Sequence, residues 1–262
     1  MNTLYSHLGE GQLALAIIFL AVIASVAALL FFRRLLPRLR FGPDSSDMGA
    51  MYGGAIGTIF SLIFALVIVA DWQNYDKMSA SVDAEVNVLD NLHQRFESLP
   101  PALRGQAQTG LAAYVNRVVE VEWPQMEEKG RDPGAGRMLA DLTSLLLQHQ
   151  PPSLGDQAAR QDMLHLLAQA RSLRQDRVKG CVAYLDRPMW ISLTTGSVIL
   201  LGFACLMQMS SLRQHIIMQA TLGASIGVVF YLLLIYDQPF LGPGAISPTA
   251  MKELPTHVWV KP

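Results

Sequence analysis

The side chains with a chemistry to offer a membrane lie in one uncharged run, Gly49 to Ala70 (GAMYGGAIGTIFSLIFALVIVA). One face of it carries Gly49, Gly53 and Gly57, and another carries Ile56, Phe60 and Phe64, each line at spacings of four. None of these can act as acid, base, nucleophile or metal ligand. What they offer is passive. Bulky apolar side chains repeated once per subunit around an axis make a dry constriction, and glycines at every fourth position let helix backbones approach closely. For Ile56, Phe60 and Phe64 the alternatives are a lipid-facing stripe or a core stripe. Gly223 and Gly227 repeat the small-residue spacing later in the chain, and helix packing is the meaning expected of both glycine lines.

Residues that usually carry catalysis are dispersed. The six histidines show no HExxH spacing and no partnering cysteine cluster, so surface or interfacial roles are expected of them. Glu120, Glu122, Glu127 and Glu128 flank Trp123 and Pro124. They read as a solvated acidic helix end, because calcium loops place their oxygen ligands at closer, more regular spacing. The stretch EEKGRDPGAG is rich in glycine but lacks the Lys and the Ser or Thr of a phosphate-cradling loop. No metal, cofactor or enzymatic activity is expected. Cys181 and Cys205 are too few for a disulfide framework. With 20 Lys and Arg against 21 Asp and Glu, the net charge of −1 leaves no basic excess to hold a nucleic acid.

A helix over residues 49–70 would reach about 33 Å, enough to cross a hydrocarbon core of roughly 30 Å. Three further stretches, Leu13 to Phe32, Pro188 to Leu212 and Ile216 to Tyr236, also lack Asp, Glu, Lys and Arg, any of which would cost roughly 2.5–3.5 kcal/mol at the centre of a span. The first exceeds the apolar core of a secretory signal and has no basic residue before it, so it reads as a retained helix. A composition of 51% hydrophobic and 16% charged residues agrees. The expected fold is all-α, with four transmembrane helices and a helical-bundle soluble insert between spans two and three. Its parts are a first helix pair (1–70), the insert (71–187), a second pair (188–236) and an extended tail (237–262).

Within the insert, Met78, Val82, Leu89, Leu92, Phe96 and Leu99 recur at helical spacing until Pro100 and Pro101. Leu103, Ala107, Leu111, Tyr114, Val118 and Val121 follow, up to Pro124. A third helix is expected near Arg137 to Gln148. A fourth, from Leu154, carries Met163, Leu166, Leu167, Ala170 and Leu173 and is expected to run on to Pro188 and the third span. The first and last helices of the bundle would then prolong membrane helices.

Orientation follows from short flanks. Arg33, Arg34, Arg38 and Arg40 lie between spans one and two, and the tail before span one has no Lys or Arg. By the positive-inside rule this connection is cytoplasmic, and the insert and both termini are on the other side, the periplasm of a bacterial inner membrane.

The stretches GTIFSLIFALVIVADWQNY, DAEVNVLDNLHQRFESLPPALR, LAAYVNRVVEVEWPQM and DQPFLGPGAISP together resemble the bestrophin-like family of bacterial multi-pass membrane proteins. The pattern is a glycine-rich second span ending in Trp72, then Asp83, Ala84 and Glu85, a Leu99–Pro100 turn, Tyr114, and the triplet Glu122, Trp123, Pro124. A more distant similarity links Ile56, Phe60 and Phe64, followed by Trp72, Gln73, Asn74 and Tyr75, to the pore neck of bestrophins, which are pentameric anion channels. The resemblance implies a homo-oligomer in a lipid bilayer, a pentamer by analogy, passing small inorganic anions through a pore lined by the second span. It departs after the fourth span, where Asp237 stands alone, so calcium gating is not implied. A bestrophin's soluble region is cytosolic, whereas the arginines here place the insert outside. The alternative is a non-conducting, membrane-anchored structural or sensory assembly that binds a partner through its helical domain. A coupled transporter is disfavoured because the spans lack ionisable residues.

Overall fold

The computed structural model describes residues 9–35, 46–127, 130–182, 185–207, 209, 211–242 and 244–254. Arg38, Arg40, Glu128 and the tail from residue 255 lie outside the described residues. The described chain is helical, in the order α1 (Glu10–Leu35), α2 (Ser46–Phe96), α3 (Pro101–Arg117), a π-helical turn (Val118–Glu122), α4 (Trp123–Glu127), α5 (Pro133–Gln148), α6 (Leu154–Lys179), α7 (Arg187–Leu206), α8 (Leu212–Tyr236) and α9 (Thr249–Glu253). The protein is all-α, and α1, α2, α7 and α8 are four helices long and apolar enough to span a membrane.

The chain divides into two compact units. The first holds α1, α2 as far as Tyr75, α7 and α8. In it α1 lies along α8, because small residues meet small residues. A Cβ added to Gly227 would stand 2.9 Å from the Ile18 Cα and 3.0 Å from the Ala21 Cβ, and one on Gly223 would overlap Ser25. Lipid offers no hydrophobic drive for helix association, so close approach and interhelical hydrogen bonds supply it. The Ser25 hydroxyl donates to the Gln219 carbonyl at 3.1 Å, and the Gln219 amide donates to the Leu201 carbonyl at 3.3 Å, tying α1, α8 and α7 together. Large apolar side chains such as Phe19, Leu20, Leu62 and Leu66 point outward, as expected of a surface solvated by lipid.

The second unit holds α2 from Asp76, then α3 to α6 and α9. Its helices start where the sequence supplies stops and caps. Pro101 and Pro133 occupy first-turn positions that need no backbone donor, and the Asp132 carboxylate accepts the Gly134 and Ala135 amides at 2.9 and 3.1 Å. A cap of this type stabilises a helix by about 1 kcal/mol. The hydrogen bond from Arg117, with the two amides, holds the Asp132 carboxyl down at about 2. Leu89, Leu92 and Phe96 of α2, Leu111 and Tyr114 of α3, Leu139 and Leu146 of α5, and Met163, Leu167 and Ala170 of α6 are all fully or almost fully buried.

Two expectations are corrected. The fourth helix does not run on into the third span: α6 ends at Lys179, and α7 begins only at Arg187, in the turn set by Pro188. A Cβ on Gly180 would overlap the Met78 side chain, so the chain leaves α6 where only glycine fits against α2. Nor is the tail from residue 237 uniformly extended. Gly242 turns it with φ 90°, it forms α9, and Phe240, Ile246, Met251 and Leu254 are buried.

Candidate functional site

Within the first unit, α2 turns one face toward α7 and α8. Phe64 is 6% exposed and packs with Leu185, Leu193 and Leu233, surrounded by Phe60, Val67, Trp190 and Phe230. Its ring stands edge-on to Phe60 at 4.6 Å and to Phe230 at 5.9 Å between centroids. Gly196 on α7 leaves the space that the Phe60 ring fills, since a Cβ there would overlap it. Gly53 faces Phe203, Gly57 faces Leu200 at 3.8 Å, and Gly49 is buried. Ile56 is half-buried.

The glycine line and the Ile and Phe line, read from the sequence as two faces, are therefore one. Gly53 and Ile56, or Gly57 and Phe60, are three residues apart and so only about 60° apart around the helix. Spacing within each line was read correctly; the angle between the lines was not. The other side of α2, with Gly54, Thr58, Ser61 and Ala65, is exposed in the single chain. Its hydroxyls are satisfied locally, Thr58 donating to the Gly54 carbonyl at 2.8 Å and Ser61 to the Thr58 carbonyl at 2.9 Å. Such a face needs no polar partner of its own, yet offers oxygen atoms along an apolar span.

The second unit gathers the motif residues into one buried cluster. Arg177 of α6 is fully buried and clamps Glu85 of α2 through Nε at 2.7 Å and Nη2 at 3.2 Å. The same Nη2 donates to Glu122 at 3.1 Å, and Arg174 donates to Glu122 through Nε at 3.1 Å. The Tyr114 hydroxyl donates to Glu85 at 2.9 Å. The Arg177 guanidinium lies 5.1 Å from the centre of the Trp123 ring, which in turn meets Phe240 edge-on at 5.8 Å. Burial alone would lower the Arg177 guanidinium, but Glu85 above all outweighs it and holds the charged form. Burial, then the Glu85 charge, pushes the Tyr114 hydroxyl well above its ordinary range, so it stays a neutral donor.

Glu122 is thus not part of a solvated acidic helix end. The π-helical turn Val118–Glu122 inserts an extra residue per turn and aims this carboxylate inward at two arginines, while Glu120 remains exposed. Arg174 and Arg177 were missed as members of the cluster. Their signal was present: three residues apart, both lie on the side of α6 that also carries Met163, Leu167 and Ala170. Chemically the cluster is closed, its carboxylates answered by guanidiniums and a phenol, and it ties α2, α3, α4 and α6 together. Among the described residues no group of three His, Cys, Asp or Glu is arranged to hold a metal.

Comparison with known proteins gives the same architecture. Two point variants of a bacterial bestrophin homologue from Klebsiella pneumoniae superpose with TM-scores of 0.63 and 0.64 at 10% identity, over 90% and 91% of this chain and 94% of each of those. A variant of a protein described only as a membrane protein gives 0.62, also at 10% identity, over 91% of this chain and 94% of its own. At such identity the likeness is one of fold. No curated protein matches the sequence. The Bestrophin-like domain model matches residues 19–251, taking in most of α1, the other three spans, the Glu85, Tyr114 and Glu122 cluster and Phe240, and the chain belongs to the Bestrophin-like family.

Proposed function

We propose that the protein is an oligomeric membrane channel, a pentamer by resemblance, which passes small inorganic anions along a pathway lined by α2. The family match across residues 19–251 carries this reading. The exposed hydroxyl-bearing side of α2 supports it, since that side is available to a pathway or a neighbouring copy. Ile56, Phe60 and Phe64 form the neck in this reading. Their bulk has no fixed charge, and phenylalanine edges are partly positive, so a constriction made of them can dewet while admitting weakly hydrated anions. Phe60 and Phe64 pack against α7 and α8 in the single chain, so to narrow the pathway their rings must turn away from Gly196 and Leu193.

That packing also favours a second reading, a non-conducting structural or sensory assembly in which the three residues are core. Planar bilayers with Cl⁻ and K⁺ gradients separate the two. The channel reading expects a reversal potential that follows Cl⁻, and a larger or persistently open conductance when Ile56, Phe60 and Phe64 are all replaced by Ala. Lost stability without gained current assigns the three to the core alone. Absence of current from correctly assembled wild type and variant ends the channel reading.

The proposed location is a bacterial inner membrane with the soluble region, residues 71–187, and both termini in the periplasm, supported by the four arginines between the first two spans. A cysteine placed at Gly130 is expected to react with a membrane-impermeant maleimide in cells whose outer membrane has been permeabilised. Reaction only after the inner membrane is opened would reverse the orientation.

A further inference from the structure

Asp71 is the first residue past the apolar run of α2, and it continues the inward stripe of Phe60, Phe64 and Val67. Its side chain is fully buried, and neither carboxylate oxygen has a hydrogen-bond partner among the described residues. Asp237, the C-terminal cap of α8, lies close enough to act on it electrostatically and is itself 3% exposed. The Asp237 carboxyl accepts the Leu185 amide at 2.6 Å, a hydrogen bond that favours its charged form, and the end of α8 adds the negative pole of a helix dipole. One turn on, the Tyr75 ring meets Tyr236 at 5.5 Å, and the Tyr75 hydroxyl donates to the Gly244 carbonyl at 2.9 Å. The charged residues next in the chain, Asp76, Lys77, Asp186 and Arg187, are exposed.

A buried carboxyl is made tolerable by a cation, by hydrogen-bond donors or by a proton. Among the described residues no donor reaches Asp71, and no Lys or Arg acts on it. A metal ion needs space for itself and for several oxygen ligands, whereas the Asp71 oxygens are closed off even to a water-sized contact. A proton needs no space. We propose that Asp71 is held as the neutral acid beside ionised Asp237, and that this proton latches α2 to the end of α8, so that the contact loosens as the pH rises. Deprotonation would set two carboxylates against each other in a site sealed from water, and α2 must then part from α8 to hydrate the new charge. The folded chain therefore binds this proton more tightly than the unfolded chain. The stability it gives is full at acid pH and is lost as the pH rises.

The inference does not depend on conduction, and its test reads none. In purified wild-type protein at neutral pH, infrared spectroscopy is expected to show the carbonyl stretch of a buried protonated carboxyl, absent from Asp71→Asn. As the pH rises from about 4, the ordinary aspartate range, to about 7, the window between the unfolded and folded Asp71 carboxyl, the wild-type unfolding midpoint is expected to fall by roughly 2–4 °C and then to level off. Asp71→Asn should abolish that fall, and Asp237→Asn should move it to lower pH, because without the like charge Asp71 gives up its proton more readily. If Asp71→Asn folds poorly, the wild-type infrared band and the Asp237→Asn shift still decide. A wild-type spectrum without the band at neutral pH, or a fall that persists unchanged in Asp71→Asn, would overturn the proposal.

Discussion

Replacing Arg177 by Ala is expected to lower the stability of the second unit by about 3–5 kcal/mol, the loss typical of breaking a buried ion pair from one side. The size follows from what remains. Glu85 is fully buried and, among the described residues, keeps only the Tyr114 hydroxyl, while Glu122 keeps Arg174. Glu85 must then ionise without a counter-charge or take up a proton, and either costs free energy that the native cluster does not spend. Removing both charges is different. In Glu85→Gln with Arg177→Met no ion is stranded, and much of the loss should return, because well-packed apolar groups can replace a buried pair at little net cost. Chemical unfolding followed by tryptophan fluorescence, Trp123 standing over Arg177, measures both. An unfolding curve for Arg177→Ala that overlies the wild type would show that the cluster contributes no stability.

Much of the fold was legible because it depends on periodicity and length. The four uncharged runs became the four spans, and the stripes of Leu89, Leu92 and Phe96 and of Leu111 and Tyr114 became buried faces. Such patterns are set by water, lipid and helix geometry, which act on every residue in the same way. The cluster was harder to read, because its pairs are remote in the chain: Glu85 with Arg177, Glu122 with Arg174. Local spacing carries no information on which helices meet. It also missed the π-helical turn, a single extra residue that reverses Glu122 from a solvated to a buried setting. The relation between the glycine line and the Ile56, Phe60 and Phe64 line was available from the 100° advance per residue alone. Which helix that shared face meets was not, because it depends on Gly196 and Phe203, more than a hundred residues away.

Gly227→Leu is expected to part α1 from α8 and to cost more than the about 1–3 kcal/mol of an ordinary overpacked core site. The reason is what a side chain would strike. At Gly227 the obstacles are the Ile18 Cα and the Ala21 Cβ, atoms fixed to the α1 backbone, so relief requires the whole helix to move. At Gly53 the obstacle is the ring of Phe203, 2.7 Å away, which can swing aside. At Gly202 nothing lies within 4 Å. All three are helical, so leucine improves intrinsic helix propensity at each, and only the contacts distinguish them. The unfolding midpoint in detergent should accordingly fall most for Gly227→Leu, less for Gly53→Leu, and little or not at all for Gly202→Leu. Separation of α1 should also free the Ser25 hydroxyl from the Gln219 carbonyl, adding a lost interhelical hydrogen bond of about 0.6 kcal/mol in a membrane setting. Equal midpoints for Gly227→Leu and Gly202→Leu would mean that close approach of α1 and α8 does not hold the first unit together.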